Sequence, residues 1–185
     1  NQAEVDKRPI FPQIPEVRAR AGDTLAEWML KLRNVTIFPS MQIADATSLN
    51  VRTFRPLGVN RTEMRYYCLA PIGEPAEIRA WRLRQFEDFF NVSGFATPDD
   101  AVTYEDLQLG LQARQVGWLQ GYGRAMNALV PGASPLAHEL GVRPTESVQG
   151  GFELQNEVSS HATYREWARL MDRGLRGLPA YGPDA

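Results

Sequence analysis

Cysteine and histidine are scarce in this chain, which limits the metal and redox chemistry that it can carry by itself. The single cysteine, Cys68, excludes an internal disulfide, a CxxC zinc site and a cysteine-ligated iron–sulfur cluster within these residues. The two histidines, His138 and His161, lie far apart in the sequence, and we interpret each as a surface or helix-capping residue. P-loop, G-x-S-x-G and HExxH motifs are also absent.

The chain also lacks a charge excess and any long hydrophobic run. A formal net charge of -2 supplies no basic surplus for neutralising phosphates, so we expect no nucleic-acid binding. Neither a membrane span nor a signal peptide is visible, and we expect a cytoplasmic protein without membrane attachment. With 43% hydrophobic residues in 185 positions, the composition is that of one folded domain.

Prolines dominate the start of the chain. They predict an extended segment that cannot propagate a helix: Pro9, Pro12 and Pro15. Because this segment lacks an initiator Met, we expect the polypeptide to be truncated. A capping box from Thr24 to Glu27 then predicts a short amphipathic helix over residues 24–33.

Alternating apolar residues predict three strands after that helix. The first covers residues 35–43, with a bulge or edge position at Pro39, and the others cover 50–59 and 64–69. Short connections between successive strands predict an antiparallel meander.

Helical periodicity follows from Pro75. It predicts a helix with one apolar face (Ala76, Ala80, Leu83, Phe86, Phe90) and a solvated or subunit-facing basic edge (Arg79, Arg82, Arg84). A second helix is predicted from Thr97 towards Arg114, while the Gly- and Pro-rich stretch 117–151 has no clear assignment. The last helix is predicted from a capping box at Thr163 to Gly174, with a buried stripe of Tyr164, Trp167, Ala168 and Met171. Strands followed by helices indicate an α+β fold, an antiparallel β-sheet with flanking helices.

Two adjacent acids, Asp99 and Asp100, begin the second of these helices. Physical chemistry favours a capping role, because Thr97 is a good N-cap, Pro98 suits the first helical position and acids interact well with the helix dipole. A carboxylate fixed at a backbone turn is also a suitable hard ligand for a metal ion. The residues alone therefore leave both roles open.

The segment from Arg84 to Asp100 resembles the iron-ligand region of aromatic-ring-hydroxylating dioxygenase large subunits, in the branch acting on benzoate, toluate, halobenzoates and anthranilate. The resemblance covers most of residues 30–112 and extends to strand segments with matching order and spacing: Phe38-Pro39, Arg55-Pro56, Asn60 to Glu63, and Cys68 to Pro71. The helix around Tyr164 to Trp167 is similar as well.

This resemblance implies a helix-grip catalytic domain in which two histidines and one aspartate hold a mononuclear iron(II). The aspartate would be Asp100, which makes it the candidate catalytic and metal-binding residue. Candidate residues of the substrate pocket are Asn34, Ile43 with the stretch to Ala46, Phe86, Phe90, Phe95 and Ala96.

The same resemblance implies partners and cofactors that these residues do not supply. The family's H-x4-5-H pair and its Rieske 2Fe-2S domain are absent from the sequence, so residues 1–185 would be a C-terminal portion of the catalytic domain. The resemblance implies cis-dihydroxylation of a benzoate-like acid with dioxygen, electrons from NADH through a reductase or ferredoxin, and trimers of large subunits with or without small subunits. The alternative is a helix-grip module that binds an apolar ligand without catalysis. Three arginines are candidates for holding a substrate carboxylate: Arg52, Arg55 and Arg65.

Overall fold

A computed structural model describes residues 6–115, 117, 121–148 and 156–181. The chain divides into two compact units, residues 1–115 and 116–185. The first unit contains a four-stranded antiparallel sheet with helices, which confirms the predicted α+β class. Within the described residues, no helix is long and apolar enough to cross a membrane.

The proline-rich start is helical, so the prediction of an extended segment is wrong. A 3-10 turn at Phe11–Gln13 leads into helix α1, Ile14–Leu30. Pro15 occupies the second position of α1, where the missing amide hydrogen would have had no partner within the helix. Gly22 interrupts α1 with a φ of 83°, a backbone conformation that glycine adopts without strain.

The sheet is a meander in the order β1-β2-β3-β4. Its strands are β1 Arg33–Ile37, β2 Met41–Asp45, β3 Leu49–Gly58 and β4 Arg61–Cys68. The single strand predicted over residues 35–43 is therefore two strands, joined by a tight turn that contains the cis Phe38-Pro39 peptide. The alternation was correct, but Pro39 marks a reversal of the chain and not a bulge.

Cross-strand pairing assigns side chains to the two faces of the sheet, because directly paired residues share a face and neighbours along a strand alternate. Ala44 pairs with Asn50, and Arg52 pairs with Tyr66, which defines the inner face. Asn50 is fully buried there and its amide donates to the Ala44 carbonyl at 3.3 Å. The outer face carries the alternate residues, among them Val35, Ile43, Val51 and Tyr67.

Two helices follow the sheet, α2 at Ala76–Phe89 and α3 at Ala96–Gly110. The predicted apolar face of α2 is correct for Phe90, which is buried, and for Phe86, which is half-buried, but wrong for Ala76, Ala80 and Leu83, which are exposed. The predicted basic edge is wrong at Arg82, a buried side chain that makes a two-pronged contact with the carboxylate of Glu74.

The second unit has a two-stranded antiparallel sheet, β5 Leu129–Pro131 with β6 Glu146–Val148, and helices α4 Pro135–Glu139 and α5 His161–Leu175. Strands β5 and β6 and helix α4 lie within the stretch 117–151 that the sequence left unassigned, of which residues 118–120 and 149–151 lie outside the described residues. The capping box at Thr163 is wrong, since α5 begins two residues earlier, and α5 also continues through Gly174. The predicted buried stripe is exposed: Tyr164, Trp167, Ala168 and Met171.

Candidate functional site

Asp100 is the fifth residue of α3, one turn beyond the start of the helix at Ala96. The N-cap residue is Phe95, and no side chain makes a capping hydrogen bond there. The prediction that Thr97 caps this helix is therefore wrong, and the acid of the first turn is Asp99. Asp100 is left partly exposed, at 41%, with Oδ2 3.8 Å from Nη1 of Arg52 on β3. The structure thus favours a role for Asp100 other than capping.

Arg52 is the cation next to this carboxylate, and aromatic rings enclose it. Its guanidinium carbon lies 5.2 Å from the ring centroid of Tyr66 on β4 and 5.1 Å from that of Phe90 at the end of α2. Only 11% of the side chain is exposed. Within the described part of the chain, the buried Nε of Arg52 and the buried hydroxyl of Tyr66 have no hydrogen-bond partner. The site is therefore a partly desolvated ion pair against two aromatic rings.

The connection between α2 and α3 fixes Asp100 relative to Arg52. The hydroxyl of Thr97 donates to the carbonyl of Phe90 at 2.7 Å, and the amide of Phe95 donates to the carbonyl of Asp88 at 2.9 Å. Gly94 lets the two segments approach, because a Cβ at this position would lie 2.7 Å from the carbonyl oxygen of Phe89. The first turn of α3 is thus tied to the residue whose ring covers Arg52.

Tyr104 lies one helical turn after Asp100 and belongs to the same electrostatic environment. Burial raises the pKa of the Tyr104 phenol, the Asp100 charge raises it further, and the Arg52 charge lowers it. Each of these effects has a physical cause, because partial desolvation and a nearby anion both disfavour the phenolate. Tyr104 is therefore a neutral phenol beside the ion pair at ordinary pH.

The other sequence-predicted pocket residues have different environments. Phe90 is in contact with Arg52, and Ala96 begins the helix that carries Asp100. Phe86 is half-buried on α2. Phe95 is 81% exposed, and its ring centroid lies 6.3 Å from that of Phe89. Asn34 is exposed on β1 at a position paired with Ala44, on the inner face. Ile43 pairs with Val51 on the outer face, so the structure does not bring it to Asp100. The pocket roles themselves stay predictions.

Sequence reasoning missed two members of the site, Tyr66 and Tyr104, and did not rank Arg52 above the other arginines. Arg55 and Arg65 lie on the outer face, and each makes an ion pair with Glu63 at 3.1 Å. The alternation along β3 separates Arg52 from Arg55, and the four-residue spacing on α3 places Tyr104 beside Asp100. Both periodicities were visible in the sequence.

The residues around Arg52 offer a metal ion one carboxylate ligand, that of Asp100. No group of three or more His, Cys, Asp or Glu residues that could hold a metal occurs in residues 6–115, 117, 121–148 and 156–181. Both histidines belong to the second unit, His138 in α4 and His161 at the first position of α5, with a ring nitrogen 2.6 Å from the Tyr122 carbonyl oxygen. A partly exposed carboxylate on a fixed helix suits iron(II) as a hard ligand, so Asp100 fits as one contributor to a shared site.

Comparison with known proteins identifies relatives over most of the chain, although no family model matches it. The chain is 35% identical over 173 residues to a 2-halobenzoate 1,2-dioxygenase large subunit from Burkholderia cepacia, covering 93% of this chain and 36% of that protein. It is 37% identical over 163 residues to an anthranilate 1,2-dioxygenase large subunit from Acinetobacter baylyi, covering 88% and 34%.

A toluate 1,2-dioxygenase subunit alpha from Pseudomonas putida is 33% identical over 170 residues, covering 91% of this chain and 36% of that subunit. The chain belongs to the family of aromatic-ring-hydroxylating dioxygenase large subunits. The resemblance drawn from the segment ending at Asp100 is thereby confirmed at the level of the family. The chain spans about a third of the length of these large subunits.

Proposed function

We propose that this chain is a C-terminal portion of the catalytic domain in the terminal oxygenase component of an aromatic-acid dioxygenase. The observation that carries the proposal is the placement of Asp100. It lies inside the resembling segment, makes no capping bond, and is held partly exposed beside Arg52 and Phe90. Such a carboxylate is positioned to take part in chemistry and contributes little to starting the helix.

The residues of this chain would supply one ligand and part of a binding pocket. Asp100 would contribute a carboxylate to a mononuclear iron(II), with two histidines from elsewhere in the complete subunit. When bound, that iron supplies the centre at which dioxygen is activated, with electrons from NADH through a reductase and a Rieske 2Fe-2S cluster in another domain. Phe90 and Ala96 would contact the aromatic ring of the substrate, and Asn34, Phe86 and Phe95 remain the other pocket candidates, whereas Ile43 lies on the opposite face of the sheet.

The proposed substrate is a benzoate-like acid that is converted to a cis-diol. This rests on the names of three relatives, each a dioxygenase of an aromatic carboxylate. Those names also favour an enzyme over a helix-grip binding module without catalysis. By the same resemblance we propose a cytoplasmic complex of large subunits, with or without small subunits, served by a reductase or ferredoxin.

Substitution of Asp100 in the complete oxygenase tests this function. Asp100→Ala should remove the mononuclear iron and lower turnover at least about 100-fold, since the metal loses a direct ligand. Iron content and product formation measure the effect, and an unchanged visible spectrum of the Rieske cluster would show that the protein is folded.

Asp99→Asn is the matched control, because it removes the neighbouring acid of the first turn and leaves Asp100 in place. We expect its iron content and turnover to stay close to those of the parent protein, with a stability change below about 1 kcal/mol. If Asp100→Ala retained both iron and turnover, Asp100 would be a structural residue and the proposal would be wrong.

A further inference from the structure

A row of polar side chains crosses the inner face of the sheet at the level of Arg52. Thr36 on β1 pairs with Gln42 on β2, and Gln42 pairs with Arg52 on β3. Arg52 pairs in turn with Tyr66 on β4. Because directly paired residues share a face, all four side chains belong to the face on which Asp100 approaches Arg52.

Gln42 contributes a side-chain amide that the sheet leaves available. The side chain is half-buried, and its amide donates to the Thr36 hydroxyl at 3.4 Å, which is long for a hydrogen bond. The Cβ atoms of directly paired residues lie about 5 Å apart, so Gln42 and Arg52 are neighbours on this face. The amide is thus placed to meet a ligand that lies over the row.

The charges next to Gln42 are balanced. Nη1 of Arg52 lies 3.8 Å from Oδ2 of Asp100, and the two side chains together carry no net charge. Nε of Arg52 and the hydroxyl of Tyr66 are buried donors without a hydrogen-bond partner in the part of the chain that the structure describes. The row therefore offers hydrogen-bond donors to a ligand and presents no net negative charge to an anion.

We propose that Gln42 is a specificity-determining residue that donates a hydrogen bond from its side-chain amide to the carboxylate of the aromatic acid. The inference rests on the proposed function, which takes a benzoate-like acid as substrate, and it names the group that recognises the carboxylate. The aromatic ring of the acid would lie towards Phe90, whose own ring contacts Arg52 from the end of α2.

The arginines are less suitable partners for this carboxylate. Arg55 and Arg65 lie on the outer face, each 3.1 Å from Glu63. Arg52 is enclosed by two aromatic rings and paired with Asp100. A hydrogen bond from an amide to a carboxylate is charge-assisted, so one such bond is sufficient to favour the acid over an uncharged analogue.

The test compares binding of benzoate and of toluene, which has a methyl group in place of the carboxylate, to the complete oxygenase component. Titration calorimetry without NADH gives both dissociation constants in the absence of turnover. Gln42→Leu should weaken benzoate binding about tenfold, because one charge-assisted hydrogen bond is lost. Toluene binding should change less than about twofold, since the size of the side chain is nearly kept.

Gln42→Glu provides a second variant with almost the same shape as glutamine. It should weaken benzoate binding by more than Gln42→Leu does, because two carboxylates would face each other, while toluene binding stays close to that of the parent. In steady-state kinetics of both variants, KM for benzoate should rise at nearly constant kcat. If Gln42→Leu does not fold, Gln42→Glu still decides, since parental benzoate affinity in that variant would contradict the inference.

Thr53→Val is the matched control. Thr53 is a half-buried polar residue on β3, but it pairs with Met41 and so belongs to the outer face. Its replacement should leave the affinities for benzoate and for toluene unchanged. A loss of benzoate affinity in this variant equal to that in Gln42→Leu would contradict a specific role for the inner-face amide.

The outcomes separate this inference from the proposed function. Parental benzoate affinity in Gln42→Leu overturns the inference, and an equal loss for benzoate and toluene also overturns it, because Gln42 would then only shape the pocket. Selective loss of benzoate in Arg52→Met but not in Gln42→Leu would assign the carboxylate to Arg52. A parent oxygenase that does not bind benzoate, or an Asp100→Ala variant that keeps its iron, would instead contradict the proposed function.

Discussion

At the scale of single residues, two arginines on α2 show how burial changes the contribution of an ion pair to stability. Arg82 is paired with Glu74, whose side chain is fully buried, with Nε 3.0 Å from Oε1 and 3.1 Å from Oε2. Arg84 makes an i,i+4 pair with Asp88 at 2.8 Å, and both side chains are exposed. The Arg82–Glu74 pair is therefore desolvated, whereas the Arg84–Asp88 pair remains hydrated.

Glu74→Gln should therefore lower the free energy of unfolding by about 3 kcal/mol, because it leaves the charge of Arg82 buried without a counter-charge. Urea unfolding followed by tryptophan fluorescence measures the change. Arg84→Gln is the matched control on the same helix and should cost about 0.5 kcal/mol or less. Equal effects of the two substitutions would mean that the Glu74–Arg82 pair is not the buried contact described here.

At the scale of secondary structure, the connection between α2 and α3 determines where Asp100 lies. Gly94→Ala should lower the free energy of unfolding by about 2 kcal/mol, since the new Cβ would approach the Phe89 carbonyl oxygen to 2.7 Å and the backbone would have to move. In the complete oxygenase, the same shift should weaken iron binding through Asp100. Thermal unfolding and iron content provide the two measurements.

Gly110→Ala is the control at the other end of α3, where a Cβ would meet nothing within 4 Å. We expect it to be neutral or to stabilise the helix by up to about 1 kcal/mol. A Gly94→Ala protein as stable as the Gly110→Ala protein would show that the connection can relax without cost.

The elements that the sequence predicted well are those with a strong local pattern. The positions of strands β3 and β4 and the extent of helix α2 follow from alternation and helical periodicity, and the antiparallel order follows from the short connections between strands. The turn at Pro39 and the helix through Pro15 were missed because proline is compatible with several local structures. The burial of Arg82 depends on Glu74 outside the helix, which periodicity along α2 does not include.

The candidate site was predictable only in part, for a similar reason. Asp100 was identified by resemblance, whereas its partner Arg52 lies on a strand 48 positions earlier and meets it through tertiary packing. The local pattern around Thr97 and Asp100 favoured a helix cap, and the structure shows the helix starting at Ala96 without one. The Thr97-Pro98-Asp99-Asp100 motif thus predicted correctly that a helix begins here, but it predicted the wrong first residue and a capping bond that is not made.

At the scale of the whole molecule, the chain spans about a third of the length of its relatives, and its described residues contain one candidate iron ligand, Asp100. Metal affinity depends on assembling several ligands in a fixed geometry. We therefore expect the isolated 185-residue chain to bind iron(II) with a dissociation constant of the order of 1 mM or weaker and to have no dioxygenase activity. Anaerobic titration calorimetry measures the affinity.

The Asp100→Ala variant of the isolated chain is the appropriate control for that titration. Its heat of binding should match that of the parent chain, because a single carboxylate adds little to non-specific binding by the surface acids. In the complete oxygenase the same substitution should remove the metal. Stoichiometric binding of one iron(II) by the isolated chain at micromolar concentration would contradict this expectation, and it would mean that residues of this chain other than Asp100 complete a metal site.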